Sequence, residues 1–594
     1  MKKVLALLLA TIMLLGTALT VVAEEAAPVI SVYYGGGTPQ SIDPALNSAS
    51  NGSNTIKLGF AGLMGYQLVD GEAKIMPELA ESYTISEDKL VYTFTLREGL
   101  KWSDGSDFKA SELAASWSRA ASEELGADYG FLYDYVDGYN GGKGPLNIVA
   151  DDEARTFTVI LAAPTAYFLD LCAFPTFYPV KTELADLEGA WATKVESYIG
   201  TGPFTMTKYA VDDVIAFEKN PYYWNADAVT LGGVNCLLSE DNSAILAGYE
   251  SGNAVYVDTA IDPNEFDRIN ETYPGELTFG DMLGTWYVLF NVHKDLSPST
   301  KQLTIQEQSK VRFALGQMIN RQDLVDYVTM GGQVAATGFY PKGLSDGLND
   351  DVRTSDMYAS WYEGTATPSD INPDYTADQV EAINALIDLE YPHTGSIEGG
   401  DITFTDFPVI EFSFNNSGSN AAVMQYVQET WARVGITGQI NLEPWSTLQT
   451  KLKEGDAESA RMGWVADFND CVNFLEIFIS GSGNNYPRLG RKIGTYTRNS
   501  DVTKDAGLGA YYGLAGDQTW ADAYDALVNE IKVETDPEVR AQKCAEAEKI
   551  LMATGGAAPM YFYTKPNLLK PTVKGLIQIN TGDVLWNYVT LEDN

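Results

Sequence analysis

Leu90-Val91-Tyr92-Thr93-Phe94-Thr95-Leu96 places Leu90, Tyr92, Phe94 and Leu96 on one face and Val91, Thr93 and Thr95 on the other. A period of two is that of a half-buried strand. Arg97-Glu98-Gly99-Leu100-Lys101-Trp102-Ser103-Asp104-Gly105 then turns the chain at its glycines and its Asp-Gly pair. Ala110, Leu113, Ala114 and Trp117 follow at the i, i+3, i+4, i+7 spacing of a helix. The same succession recurs outward in both directions. Val29–Tyr34 reads as a strand closed by Gly35-Gly36-Gly37, and Leu283–Val292 and Val409–Phe414 read as further strands. Val311, Ala314, Leu315, Met318 and Ile319 form a helical stripe, as do Val423, Tyr426, Val427 and Trp431, and Asp536-Pro537 opens a helix that Gly555-Gly556 ends. The span 341–404, rich in Gly, Pro, Asp and Ser, predicts loops. Alternating strands and helices without a repeat give an α/β or α+β chain.

With 594 residues the chain is long enough for two or three domains, and 45% hydrophobic residues supply their cores. Its 81 acidic against 39 basic residues, a net charge of −42, exclude nucleic acid and anionic membrane surfaces as partners of the whole molecule. Lys2 and Lys3 precede the apolar Val4–Val22, and Val21-Val22-Ala23 leads into Glu24-Glu25, the pattern of a signal peptide over 1–23. That segment holds no lipobox cysteine, so an exported chain is expected, periplasmic or extracellular and associated with the cell envelope. Cys172, Cys236, Cys471 and Cys544 form no CxxC and are expected to be buried free thiols. With two histidines and no HExxH, GxSxG or phosphate-binding loop, neither catalysis, metal nor cofactor is expected.

The segment richest in chemistry is Arg461-Met462-Gly463-Trp464-Val465-Ala466-Asp467-Phe468-Asn469-Asp470. An apolar strand ends at Asp467, and a carboxylate among Trp464, Val465, Ala466 and Phe468 needs a cation or several donors. Arg461 is one internal candidate and a ligand ammonium is another; on residue pattern alone a structural acid is favoured. Asp470 reads as the N-cap of a helix over Val472–Ile479, and Lys451 and Lys453 as a solvated helix face.

Ordered blocks along nearly the whole chain resemble one family. They are Ser41-Ile42-Asp43-Pro44, Pro77-Glu78-Leu79-Ala80-Glu81-Ser82, Tyr92–Arg97 through Lys101–Gly105, Gly200-Thr201-Gly202-Pro203-Phe204 with Asn220-Pro221-Tyr222-Tyr223-Trp224, Phe290-Asn291, Val311-Arg312 with Ala314-Leu315, Gly463-Trp464 with Ala466-Asp467, and Ala558-Pro559-Met560-Tyr561. The chain resembles the extracellular solute-binding proteins, family 5, which serve bacterial ABC importers of oligopeptides and dipeptides. The resemblance implies a two-lobed, periplasmic-binding-protein-like α/β fold of type II, in the large class with an extra inserted domain, closing on a hinge. It divides the mature chain into lobe I (24–64, 198–290 and 560–594), an inserted domain (65–197) and lobe II (291–559).

It implies further that a monomer encloses short peptides between its lobes, by main-chain pairing, and delivers them to a membrane permease. The family's acid for the peptide α-amino group falls on Asp467, which moves that residue from structural to ligand-binding. Arg461 falls where oligopeptide-type members carry an arginine for the peptide C-terminus, with an internal acid as its alternative partner. Gly463, Trp464 and Val465 are expected to lend backbone groups and a pocket wall or to pack in the core, and Tyr287 and Asn291 to line the cleft or support the hinge. Tyr561 and Tyr563 are weaker candidates. Thr38 completes the candidate set, although Thr38 and Pro39 stand where relatives often carry an acid and an apolar residue. Cys471 stands for a usual proline and Asn320 for a usual Asp. Alternatives are the same fold binding a nickel chelate or an oligosaccharide and, from another class, an extracellular glycosidase.

Overall fold

The computed structural model describes residues 27–69, 72–165, 167–258, 261–417, 419–491 and 519–592, so the expected leader over 1–23 lies outside the described residues. A mixed sheet runs through the molecule in the order Gly438–Leu442, Ile410–Phe414, Ser459–Val465, Leu277–Phe290, Ala557–Leu569, Tyr256–Asp258, Val29–Tyr33, Gly233–Leu237, Val214–Lys219, Phe204–Ala210. In one half, Val29–Tyr33 lies parallel to both its neighbours. In the other, Ile410–Phe414 does so, with helices Asn420–Ala432 and Trp445–Glu454 as the connections. Ile410, Phe412 and Phe414 alternate with Glu411 and Ser413, and the three apolar side chains are buried while Glu411 is exposed.

Two long antiparallel strands belong to both halves. Thr278–Asp281 pairs with Thr564–Asn567, the register shifts between Asp281 and Thr285, and Thr285–Leu289 then pairs with Ala557–Phe562. Unequal residue counts across such a shift bend a strand pair, so the crossing is kinked where the halves meet. Ser459–Val465 borders the second part of this crossing, with Gly284 opposite Val465. Ala466 N–H still donates to Leu283 C=O at 2.7 Å, so Asp467 emerges at the kink.

A separate antiparallel sheet, Ala80–Ile85, Val91–Leu96, Thr156–Ile160, Ile148–Asp151, forms the region between the first two strands of the main sheet's one half. Tyr92, Phe94 and Leu96 are buried, as their alternation predicts. The helix Ala110–Ala121 puts Trp117 edge-on to Tyr133, Phe157 and Phe177, and its indole N–H donates to Phe177 C=O at 2.9 Å. Asp43 ties this region to the main body. Its fully buried carboxylate accepts from Arg119 at 3.2 and 2.6 Å, from the Trp191 indole at 2.7 Å and from Ala45 N–H at 3.0 Å. Removing one partner of a buried, hydrogen-bonded pair leaves the other uncompensated, at about 3–5 kcal/mol. Asp43→Ala is therefore expected to destabilise the protein by about that amount in denaturant titrations.

Several expectations are corrected. Cys471 and Cys544 are joined in a disulfide across 73 residues, leaving Cys172 and Cys236 as buried free thiols; the fold brings together two positions that sequence distance hides. Lys453 is not on a solvated face: it is buried and paired with Asp128 at 2.5 Å. Lys451 pairs with Glu443. The turns of 341–404 are interrupted by helix Ala377–Asp388, whose Thr376 and Gln379 make a reciprocal cap. The helix expected over 472–479 is a short Val472–Leu475 followed by a tighter turn at Glu476–Phe478. The N-cap position falls on Cys471 rather than on Asp470, which stands one residue earlier, accepts from Val472 N–H at 2.9 Å and pairs with Arg540 at 2.7 Å. Asn320 performs the capping of an Asp, accepting from the N–H groups of Gln322 and Asp323.

Candidate functional site

Between the halves lies an internal space of about 1340 Å3, solvent at its mouth included, walled by Tyr34, Ser50 and Lys57 from one side, Tyr66, Tyr129, Asp170 and Phe174 from the inserted region, and the strand from Arg461 to Asp467 from the other. The walls are held across it. Lys453 reaches both Asp128 and Gln40, Tyr135 donates to Glu476 at 2.9 Å, Lys532 pairs with that same Glu476, and Tyr167 stacks on Phe468 with centroids 4.4 Å apart.

The strand Ser459–Val465 offers this space a free edge. On one side it pairs along its whole length with Leu277–Phe290; on the other its pairing with Ile410–Phe414 covers only Ser459 and Ala460. From Arg461 onward the backbone of that edge has no strand partner among the described residues, and unpaired N–H and C=O groups in a row are a template for another extended chain. Arg461, Gly463 and Val465 are half-buried along it while Met462 and Trp464 point into the core. Gly463 is dictated by packing, because a Cβ there would lie 2.1 Å from the Tyr563 hydroxyl.

Asp467 stands at the end of that edge. Asn473, which the sequence reading missed, organises it: the Asn473 side-chain oxygen accepts from the Trp464 indole at 3.1 Å and from Asp467 N–H at 2.8 Å, which fixes the amide orientation and aims its NH2 at Asp467 Oδ2, 2.9 Å away. Tyr129, also missed, donates its hydroxyl to Asp467 Oδ1 at 3.3 Å. No lysine or arginine pairs with Asp467 among the described residues. It is half-buried at the wall of this space, and desolvation pushes its pKa up to about 7; Asn473 and Tyr129 oppose the shift and the buried Glu476 adds to it. Of the structural roles that pattern alone favoured for it, the salt bridge is absent among the described residues.

Arg461 donates to Asn420 at 3.1 Å and to the Tyr563 hydroxyl at 3.4 Å, lies over the Trp445 ring, and has no carboxylate partner among the described residues. It also borders a second space of about 870 Å3 lined by Phe266, Trp286, Tyr561, Tyr563 and the ion-paired Asp258 and Lys565. The structure thus gathers Arg461, Gly463, Trp464, Val465 and Asp467 at one cavity, and adds Tyr563. It leaves three candidates outside. Tyr287 is buried edge-on to Phe339, Asn291 clamps the carbonyls of Gly455 and Ala457 at 3.2 and 3.3 Å, and Thr38 exchanges hydrogen bonds with Asp212 at 2.8 and 2.9 Å. Each is held by a structural partner away from the cavity lining.

The chain and its fold have known counterparts. The family model of bacterial extracellular solute-binding proteins, family 5 (middle), matches residues 74–486. The oligopeptide-binding protein OppA of Bacillus subtilis is 28% identical over 560 residues, covering 92% of this chain and 90% of its own. Haemophilus influenzae OppA in complex with RPPGFSPFR superposes with a TM-score of 0.77 at 24% identity, over 96% of this chain and 99% of that one. The murein tripeptide binding protein MppA of Escherichia coli superposes with 0.75 at 21% identity, over 95% and 99%. The chain belongs to the bacterial extracellular solute-binding proteins, family 5.

Proposed function

We propose that the protein is the receptor of an ABC importer, exported by the leader over 1–23, that captures short peptides between its lobes and presents them to a membrane permease without altering them. The observation that carries this reading is a desolvated carboxylate, without a cation partner among the described residues, at the end of an unpaired strand edge on the wall of the space between the halves. An extended peptide adds its main chain to the edge from Arg461 to Val465 and leaves its side chains to the surrounding cavity. Its ammonium meets Asp467, and Arg461 is placed to receive its carboxylate. In this reading the segments 24–64, 198–290 and 560–594 form lobe I, 291–559 lobe II and 65–197 the inserted domain, with the kinked crossing at Asp281–Thr285 as the hinge. The OppA name of relatives and the peptide in the H. influenzae complex support the ligand class. Calorimetric titration with unmodified tri- to pentapeptides is expected to give saturable one-to-one binding; a heterogeneous set of such peptides that evolves no heat and shifts no melting temperature would overturn it.

A further inference from the structure

One wall of the cavity carries a charge that has no side-chain partner among the described residues. Asp170 lies on the one-turn helix Phe168–Leu171 of the inserted region, half-buried and facing the same space as Asp467. Among the described residues no cation pairs with its carboxylate and no other side chain donates to it. The lining holds two cations. Lys57 is ion-paired with Asp583, which also accepts from Ser53 at 3.0 Å, and Arg461 sits on the strand edge with Asn420 and Tyr563.

Its surroundings suit a long cationic side chain. Tyr66 lines the same space and is close enough for the Asp170 charge to act on its phenol. Phe174 follows one turn later and lies edge-on to Tyr129 at 4.9 Å, and Tyr129 is the residue whose hydroxyl reaches Asp467. The amine-binding acid and this corner are therefore separated by a single ring. Burial raises the Asp170 carboxyl above its ordinary range, so a cation arriving there restores favourable surroundings to the charge. Aromatic rings beside an acid accommodate both the methylene stem and the charged end of such a side chain.

Resting on the peptide reading above, we propose that Asp170, with the rings of Tyr66 and Phe174, forms a side-chain subsite selecting peptides that carry lysine, arginine or ornithine near the amino end. The test is calorimetry with tripeptides in which lysine, or its uncharged counterpart norleucine, is moved through positions one to three on an alanine background. At one position lysine is expected to bind at least about tenfold tighter than norleucine, the size of a charge pair formed in a desolvated site. Asp170→Asn is expected to bring that ratio to within about twofold, the norleucine peptides still giving saturable binding, which also certifies that the variant is folded. A ratio near one at all three positions in the unmodified protein, or a preference that survives Asp170→Asn, overturns the subsite. Failure of every tripeptide to bind removes the peptide reading itself and is distinguishable from peptides that bind without preference.

Discussion

Acetylating the α-amino group of a tri- to pentapeptide is expected to weaken its binding by roughly 30-fold to several thousandfold, the equivalent of about 2–5 kcal/mol for one partner lost from a buried charge pair. Asp467→Ala is expected to do the same to the unmodified peptide. The two losses should not add, because each removes the same interaction. The size follows from the site. In the empty protein Asp467 is desolvated and held by one amide and one phenol, with a second buried acid, Glu476, raising its pKa further. An arriving ammonium supplies the missing opposite charge. The discriminating control is Asp467→Asn, which lacks the charge but has nearly the same shape: it is expected to lose peptide affinity while raising the unliganded protein's melting temperature near neutral pH, because the unpaired charge is itself a burden on the empty fold. Equal calorimetric affinities for acetylated and free-amine peptides would dissociate Asp467 from the ligand.

Affinity should also fall steeply on acidification. The sign follows from linkage. Asp467 in the empty protein titrates at about 7, above the ordinary carboxylate value of 3.8, whereas an ammonium alongside favours the charged form and lowers the pKa in the complex. Below pH 7 binding must therefore expel a proton, and affinity drops by up to tenfold per pH unit until the pKa of the complex is reached. Between pH 7.5 and 5.5 a loss of roughly 10–50-fold is expected. Above about pH 8 the peptide's own amine deprotonates, giving an optimum near neutrality. The acid limb should vanish in Asp467→Asn. Calorimetry at pH 6 in buffers of different ionisation enthalpy should register close to one proton released per peptide bound; zero would assign the pH dependence elsewhere.

What the sequence made legible was what local period and order can encode. The alternation of Tyr92, Phe94 and Leu96, the helical stripe ending at Trp117, and the strand leading into Asp467 all recur in the structure, because each is satisfied within one sheet face or one helix face. The family blocks gave the two-lobed fold, which no single period could. What stayed hidden depends on contacts between distant segments. Tyr129 reaches Asp467 across 338 positions. Lys453 looked like one more exposed lysine because its acid, Asp128, comes from the inserted region, and Cys471 meets Cys544 only through the packing of the elements between them. Asn473 is the exception: six residues beyond Asp467 in an apolar context, a buried amide was the one local signal that the acid might be organised by donors rather than by a cation. Thr38 entered the candidate set through the family resemblance, and Tyr287 and Asn291 as lining of the cleft or support of the hinge; the structure gives Thr38 the neighbour Asp212, Tyr287 the ring of Phe339 and Asn291 the carbonyls of Gly455 and Ala457.

The bare backbone from Arg461 to Val465 has a bearing on how the molecule survives among other proteins. A row of unsatisfied amides on a surface would recruit any unfolded neighbour and seed aggregates. Here that sticky ribbon is kept indoors, where only something narrow enough to enter between the two halves can zip onto it. The geometry that makes the ribbon indifferent to ligand sequence is thus the same one that screens it from partners of the wrong size.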